Sequence, residues 1–338
     1  MGPSQHRITR ALGRTRRLSP LEVSFWLLAV AVWFFLPDYH LILNEIAGFA
    51  ILALSLDLIL GYAGMVSLGQ AAMYGLGAYA AGLFSIHVTG EPISGLLVGA
   101  ACGALLALLT GPLLLRGGDL TRLMVTLGVA AVVMEIANQA SWLTGGADGL
   151  RGMEIQPLFG VFDFDIFGQT ACAYSLVVLF ALMLIARVLL SSPFGYSLRA
   201  IRDNPLRASA VGIPVHARLV TIYTVSGAYA GIAGALFAQT QQFVSLDALS
   251  FQKSADGLMI LTIGGPGYLY GGALGALVYK LIQDELSNLT PQYWQFWIGL
   301  MLVAFVLIGR ERPHRALAAL TRRLKGKAER SKAKEDQA

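Results

Sequence analysis

The residues of this chain able to do chemistry are polar groups set inside apolar stretches, and they are few. Glu45, Asp57, Glu135, Asp256 and Lys280 interrupt runs that are otherwise apolar. An ionisable group in hydrocarbon is costly, so each marks a polar interior or a pathway unless it lies near an end of its run, where water reaches it. Asp57 and Lys280 lie toward such ends and are discounted. Glu135 stands apart, because Asn138 and Gln139 follow it by about one turn. Ser67, Gln70 and Tyr74 recur at helical spacing in a glycine-rich block and bring hydroxyl and amide groups suited to lining a solute path. Internal packing is the plainer alternative for each.

Other chemistries find no support in the residues. Ser226 and His87 both fall in apolar segments, but no acid or oxyanion motif accompanies them, so packing accounts for both better than hydrolysis does. No G-x-x-x-x-G-K-[ST] phosphate loop occurs, since Gly326-Lys327-Ala328 lacks the pattern. ATP chemistry would therefore come from another chain. Cys102 and Cys172 sit in apolar segments without metal-ligand spacing and read as small packing residues.

The elements that must position these groups are membrane spans. Hydrophobic residues make up 56% of the chain and charged residues 13%, about half the charged share of a soluble domain. The charges gather in short stretches between apolar segments at 21–38, 42–60, 65–88, 93–115, 121–142, 166–190, 218–243, 254–286 and 293–309. The net charge of +5 suggests nucleic acid at first sight. The basic residues, however, always flank apolar runs, which is the positive-inside pattern of a membrane protein and not a nucleic-acid surface.

Orientation follows from those residues. Arg7 through Arg17 precede the first apolar run, and no cleavage pattern follows it, so residues 1–20 read as a basic cytoplasmic segment before an uncleaved span. Arg116 and Arg122 flank one internal connection, and Arg187, Arg199, Arg202, Arg207 and Arg218 mark a longer one at 191–217. A basic cytoplasmic tail at 311–338, held by anionic lipid, closes the chain. Returning inside by Arg310 requires an odd number of crossings after Phe243. The Gly264-Gly265-Pro266-Gly267 run resolves this if 254–286 is a broken hairpin of two short helices. The fold expected is all-α and polytopic, with a transmembrane domain at 21–310, about ten crossings and both termini cytoplasmic. Two glycine-rich stretches, at 61–88 and 264–276, stand one in each half as interrupted transporter segments do. A pathway role and simple close packing of helices both accommodate them.

Two connections stand out. An external loop at 144–165 opens with the turn-rich Thr144-Gly-Gly-Ala-Asp-Gly149. In the internal loop, Asn204 followed by Pro205 starts a short helix that Gly212 ends, with Ala208, Ala210 and Val211 as a small apolar face. Such a capped helix with a basic rim suits docking into a groove on another protein. An amphipathic connector lying on the membrane is the alternative.

Four blocks, in order, resemble one family closely. They are Gly61-Tyr-Ala-Gly-Met-Val-Ser-Leu-Gly-Gln-Ala-Ala-Met-Tyr-Gly-Leu-Gly-Ala-Tyr79; Leu115-Arg-Gly-Gly-Asp119 with Thr126-Leu-Gly128; Leu143-Thr-Gly-Gly-Ala-Asp-Gly-Leu150; and Phe194 through Gly212 running into Ser226–Leu236. The chain after residue 40 is thereby similar to the permease subunits of branched-chain amino acid importers of the ATP-binding cassette class. The resemblance implies a translocation path shared with a homologous second permease, with Ser67, Gln70, Tyr74, Glu135, Asn138, Gly264 and Gly265 as candidate lining. It implies two ATP-binding subunits, which carry the ATP and Mg while this chain binds no cofactor or metal. They would meet a coupling segment comprising Arg199, Arg202, Asp203, Arg207, Ala208, Ser209, Ala210 and Gly212. A separate extracytoplasmic solute-binding protein and membrane lipid complete the partners; nucleic acid is not among them. The chain departs from the family pattern at Ser209, where Glu is frequent, and at Tyr268, where Ser commonly follows the glycines. Urea, short amides or aromatic acids are alternative solutes. A self-sufficient channel or secondary carrier is the rival from another class.

Overall fold

The computed structural model describes residues 20–35, 39–115, 117–158, 160, 162, 164, 168–289 and 291–308. The basic segment at 1–20 (save for a helix start at Pro20), Arg116, and the tail at 311–338 lie outside the described residues.

Apart from two isolated bridges, the described residues fold as helices joined by turns. In chain order those of six residues or more are α1 Pro20–Phe35, α2 His40–Leu60, α3 Gln70–His87, α4 Pro92–Leu114, α5 Asp119–Gln139, α6 Gln169–Ser191, α7 Pro193–Asp203, α8 Pro205–Ala210, α9 Val215–Gln241, α10 Phe251–Gly264, α11 Gly271–Leu289 and α12 Trp294–Ile308. Five of them, α2, α4, α5, α6 and α9, are long and apolar enough to cross a membrane. Five helices of this length and apolarity make the chain a multi-pass membrane protein, and a helix suits hydrocarbon because it satisfies its own backbone.

Contacts divide the chain into two compact units, Met1–Lys280 and Leu281–Ala338. The first holds the core, and its centre is a seam of glycine. Helix α9 packs most extensively on α4 and then on α3. Gly95, Gly99, Gly103 and Gly111 of α4 are all buried, with Ala107 continuing the same stripe. A Cβ placed on Gly231 of α9 would lie 2.2 Å from the Gly99 carbonyl oxygen, and one on Gly103 would lie 2.3 Å from that of Gly227. A Cβ on Gly234 would lie 1.8 Å from the Tyr74 carbonyl oxygen of α3. Backbones therefore touch directly at these crossings, the use to which four-residue glycine spacing is put between membrane helices. In the second unit, α11 finishes and α12 follows, where the rings of Phe296 and Trp297 meet edge to face at 5.6 Å.

Two apolar stretches are broken. The run at 254–286 is two helices, with Gly265 and Gly267 at φ of 96° and 85° in the turn between them. Only glycine adopts that backbone readily, so the helix stops here. The run at 65–88 becomes helical only at Gln70. The start of α3 draws acceptors from other elements: the Ala71 N–H donates to Ser254 Oγ of α10 at 2.9 Å, and the Leu68 N–H to Thr126 Oγ1 of α5 at 3.2 Å. Irregular backbone at membrane depth is tolerated because neighbouring helices satisfy it in this way.

The turns gather at two ends. Gly61, Arg202 and Gly267 meet at one, which is the basic end. At the other, Leu150 and Val244 exchange backbone hydrogen bonds of 2.7 and 3.2 Å, and the Gln156 N–H reaches the Gly90 carbonyl at 2.9 Å.

Candidate functional site

At the basic end, the connection between α6 and α9 is two helices set in series. Asn204 Oδ1 accepts the Arg207 N–H at 2.9 Å, capping α8, and Pro205 follows where no N–H is needed. Gly212, at φ 88°, turns the chain out of α8. The preceding helix α7 buries Gly195, Leu198 and Ile201 on one face.

The short helix departs from the sequence reading in one respect. Ala208 is only 3% exposed, so it is not on an outward face shared with Ala210 and Val211. Residues two apart on a helix point in nearly opposite directions. The apolar groups presented outward are instead Leu206, 81% exposed, and Val211, 77% exposed. Arg207, Ser209, Ala210 and Gly212 are exposed beside them, and Ser209 Oγ donates to the Leu206 carbonyl at 2.9 Å.

Behind this pair of helices lies a backbone junction. The Arg202 guanidinium donates to the Gly61 carbonyl just beyond α2. Asp57, fully buried in the last turn of α2, accepts the Gly267 N–H at 2.6 Å. Gly267 in turn approaches Arg202: a Cβ there would lie 3.4 Å from Nη1. Arg202 also faces Asp203 at 3.8 Å across an exposed pair. Thus α7, the end of α2 and the α10–α11 turn are fastened at one point. Sequence reasoning discounted Asp57 as an end-of-span residue. The structure shows how tight the junction is: a Cβ on Gly61 would lie 2.4 Å from the Gly267 nitrogen.

The candidate lining residues occupy three separate places. Ser67, Gln70 and Tyr74 are buried. Gln70 Nε2 donates to Ser226 Oγ at 3.0 Å, and that hydroxyl donates to the Ser55 carbonyl at 2.6 Å. Ser67 Oγ accepts the Gly69 N–H at 3.2 Å, and the Tyr74 ring lies 5.9 Å from Phe237. Glu135 and Asn138 are exposed on α5, with Glu135 accepting from Gln139 Nε2 at 2.7 Å. Gly264 and Gly265 belong to the α10–α11 turn, where Gly264 presses against the Gly271 carbonyl.

A further cluster, which sequence spacing does not reveal, joins α2, α10 and α11. Asp256 accepts from Tyr279 OH at 2.9 Å and from Gln252 Nε2 at 3.0 Å. Lys280 forms an ion pair with Glu45. The Lys253 ammonium lies over the rings of Phe49 and Phe237 at 5.1 and 5.6 Å. Most partners are remote in sequence, so four charges that stand apart along the chain come together only in three dimensions. Among the described residues, no group of three His, Cys, Asp or Glu is placed to hold a metal ion.

Comparison with known proteins fits this architecture. The chain is 29% identical over 286 residues to the high-affinity branched-chain amino acid transport system permease protein LivM of Escherichia coli (strain K12), covering 77% of this chain and 66% of that protein. LivM of Salmonella typhimurium gives the same identity and coverage. The fructose import permease protein FrcC of Rhizobium meliloti is 27% identical over 285 residues, covering 79% of this chain and 76% of that protein. The match thus spans 66% of the length of the two LivM relatives. No solved structure matches the chain. A family model described as branched-chain amino acid transport system / permease component matches residues 39–306, from the start of α2 to the last turns of α12, and the chain belongs to that family.

Proposed function

We propose that this chain is one of two homologous permeases of an ATP-binding cassette importer in the bacterial cytoplasmic membrane, carrying branched-chain or related amino acids. The observation that carries this reading is family membership over residues 39–306, joined to a capped helix, α8, that presents Leu206 and Val211 outward between two apolar spans. An exposed apolar pair on a six-residue helix has no use in water and suits a groove on a partner. In this reading the partner is an ATP-binding subunit holding ATP and Mg, and two such subunits drive the cycle.

The ten helices α1–α6 and α9–α12 each cross the membrane, with both termini cytoplasmic. The gathering of Gly61, Arg202 and Gly267 at the basic end supports the hairpin of α10 and α11. The solute path runs along the exposed face of α5, where Glu135, Asn138 and Gln139 at its outer end suit the mouth of a water-filled seam shared with the second permease. Ser67, Gln70 and Tyr74 are buried, the first two hydrogen-bonded and the third against the Phe237 ring, and they stiffen the wall behind that seam. A separate binding protein delivers the solute from outside. Kinship to a permease named for fructose import supports placing solute choice upstream, in that binding protein.

Purification from the native membrane tests the reading. Co-isolation of ATP-binding subunits is expected, whereas solute uptake by this chain alone would replace it with a channel or carrier. A ligand screen on the cognate binding protein then names the solute, and capture of urea, an amide or an aromatic acid in place of a branched-chain amino acid would move the substrate class.

A further inference from the structure

Arg199 and Arg218 stand half-buried at the basic end. Residues 192–214 join the ends of two apolar helices, α6 and α9, so their side chains meet the boundary between membrane and water. Arg218, in the first turn of α9, stands over the Phe194 ring at 5.1 Å, and its buried Nε has no hydrogen-bond partner among the described residues. Arg199 is held between the rings of Tyr62 and Tyr196, 5.5 Å from each. Among the described residues neither guanidinium has an ion pair. Glu22 lines the same region but is joined to Arg187, and Asp203 faces Arg202.

Two hollows open beside these cations. The larger, about 870 Å³, is lined by Val188, Pro193, Ile213 and Arg218 among others. The smaller, about 190 Å³, has Tyr62, Arg187, Arg199 and the Glu22 carboxylate paired with Arg187 in its wall. Ser191 and Tyr196 line both, so the hollows are neighbours with a common partition. Val188, 61% exposed on the last turns of α6, forms an apolar lip toward the hydrocarbon side, and Tyr196 is 41% exposed beside it. A tyrosine with its ring in apolar surroundings and its hydroxyl in water is at home at headgroup depth. The eleven-residue helix α7 begins here, so its positive end adds to the field of the two arginines. Half-buried cations with no ion pair of their own among the described residues, facing a cavity with one apolar lip, call for an amphiphilic anion.

We propose that these hollows bind an anionic phospholipid, its phosphate between Arg199 and Arg218 and its chains against the Val188 lip. The assignment rests on the position of residues 192–214 at the boundary and is independent of which solute is carried. A free phosphate shares the headgroup chemistry but has no use for the lip.

The test titrates the full chain, in its purified complex, with phosphatidylglycerol and counts bound lipid by native mass spectrometry. Phosphatidylcholine and inorganic phosphate are separate arms. Phosphatidylglycerol is expected to be retained in preference to phosphatidylcholine. The double variant Arg199→Gln/Arg218→Gln should bind it roughly 30-fold more weakly, as two cations at an anionic surface imply. Arg322→Gln, which removes one charge from the tail, should leave this tight site unchanged. Lysine at both positions should retain most of the affinity, which keeps the test valid if the glutamine pair folds poorly. Wild-type affinity in the folded double variant would overturn the proposal. So would displacement of the lipid by inorganic phosphate, or loss of the ATP-binding subunit from a double variant that still retains the lipid.

Discussion

Leu206 and Ala208 lie two residues apart on one short helix, and the same substitution at each should fail in different ways. Leu206 is 81% exposed in the free chain. Replacing it with Glu removes almost no intramolecular contact, so folding should change by less than about 0.5 kcal/mol. Docking into a partner groove would bury most of that side chain, and full burial of a leucine is worth roughly 1.5–3 kcal/mol. Scaled to the exposed fraction, Leu206→Glu should weaken association with the ATP-binding subunit by about 2 kcal/mol, or about thirtyfold, before any cost of desolvating the carboxylate. Ala208, 3% exposed, has the opposite balance. A carboxylate there is buried without a partner and should cost the fold about 3 kcal/mol or more. The assay measures thermal unfolding of the chain, and ATPase activity of the reconstituted complex against ATP-binding subunit concentration. Leu206→Glu should leave the melting curve in place and shift the concentration dependence, while Ala208→Glu should lower the melting temperature. Full ATPase stimulation with Leu206→Glu at wild-type subunit concentration would refute docking through α8. An unchanged melt for Ala208→Glu would refute the inward placement of that residue.

Other expectations follow from single contacts. Gly231→Ala places a Cβ 2.2 Å from the Gly99 carbonyl and should destabilise by about 1–3 kcal/mol, read as a lowered melting temperature; Gly128→Ala, with nothing within 4 Å of its Cβ, should be nearly silent. Arg202→Ala removes a charge-assisted bond to the Gly61 carbonyl. Its side chain is 42% exposed, so the loss to stability should be only about 1 kcal/mol. Uptake per ATP hydrolysed should nevertheless fall several-fold, and unaltered coupling would refute a role for that junction. Glu135→Leu, on the exposed face of α5, should leave stability within about 0.5 kcal/mol and reduce uptake.

What the sequence makes legible is what depends on neighbours along the chain. Asn204 with Pro205 marks the start of α8 because capping is a local matter, and the break at Gly265 is legible because a left-handed backbone needs glycine. The inward turn of Ala208 was not legible, since a six-residue helix shows too little periodicity to say which face meets the protein. The Asp57–Gly267 bond joins residues 210 positions apart and leaves no pattern in either segment. The same holds for Asp256 with Tyr279 and for Glu45 with Lys280. Glu135, as a charge in an apolar run, and Ser67, by helical spacing, both read as lining residues, yet one is exposed and the other buried, because neither signal reports what the residue meets.

The glycine crossings of α3, α4 and α9 also bear on how the molecule can move. Interfaces built from side chains slide by exchanging rotamers, and these crossings have no rotamers to exchange. Main chain rests on main chain, so a shift of even half an ångström meets a hard wall instead of a soft one. These three helices should therefore act as a stator through the transport cycle. Displacement is left to parts joined by side chains, such as α5, while the α10–α11 turn stays tied to the end of α2 through the Gly267 N–H and Asp57.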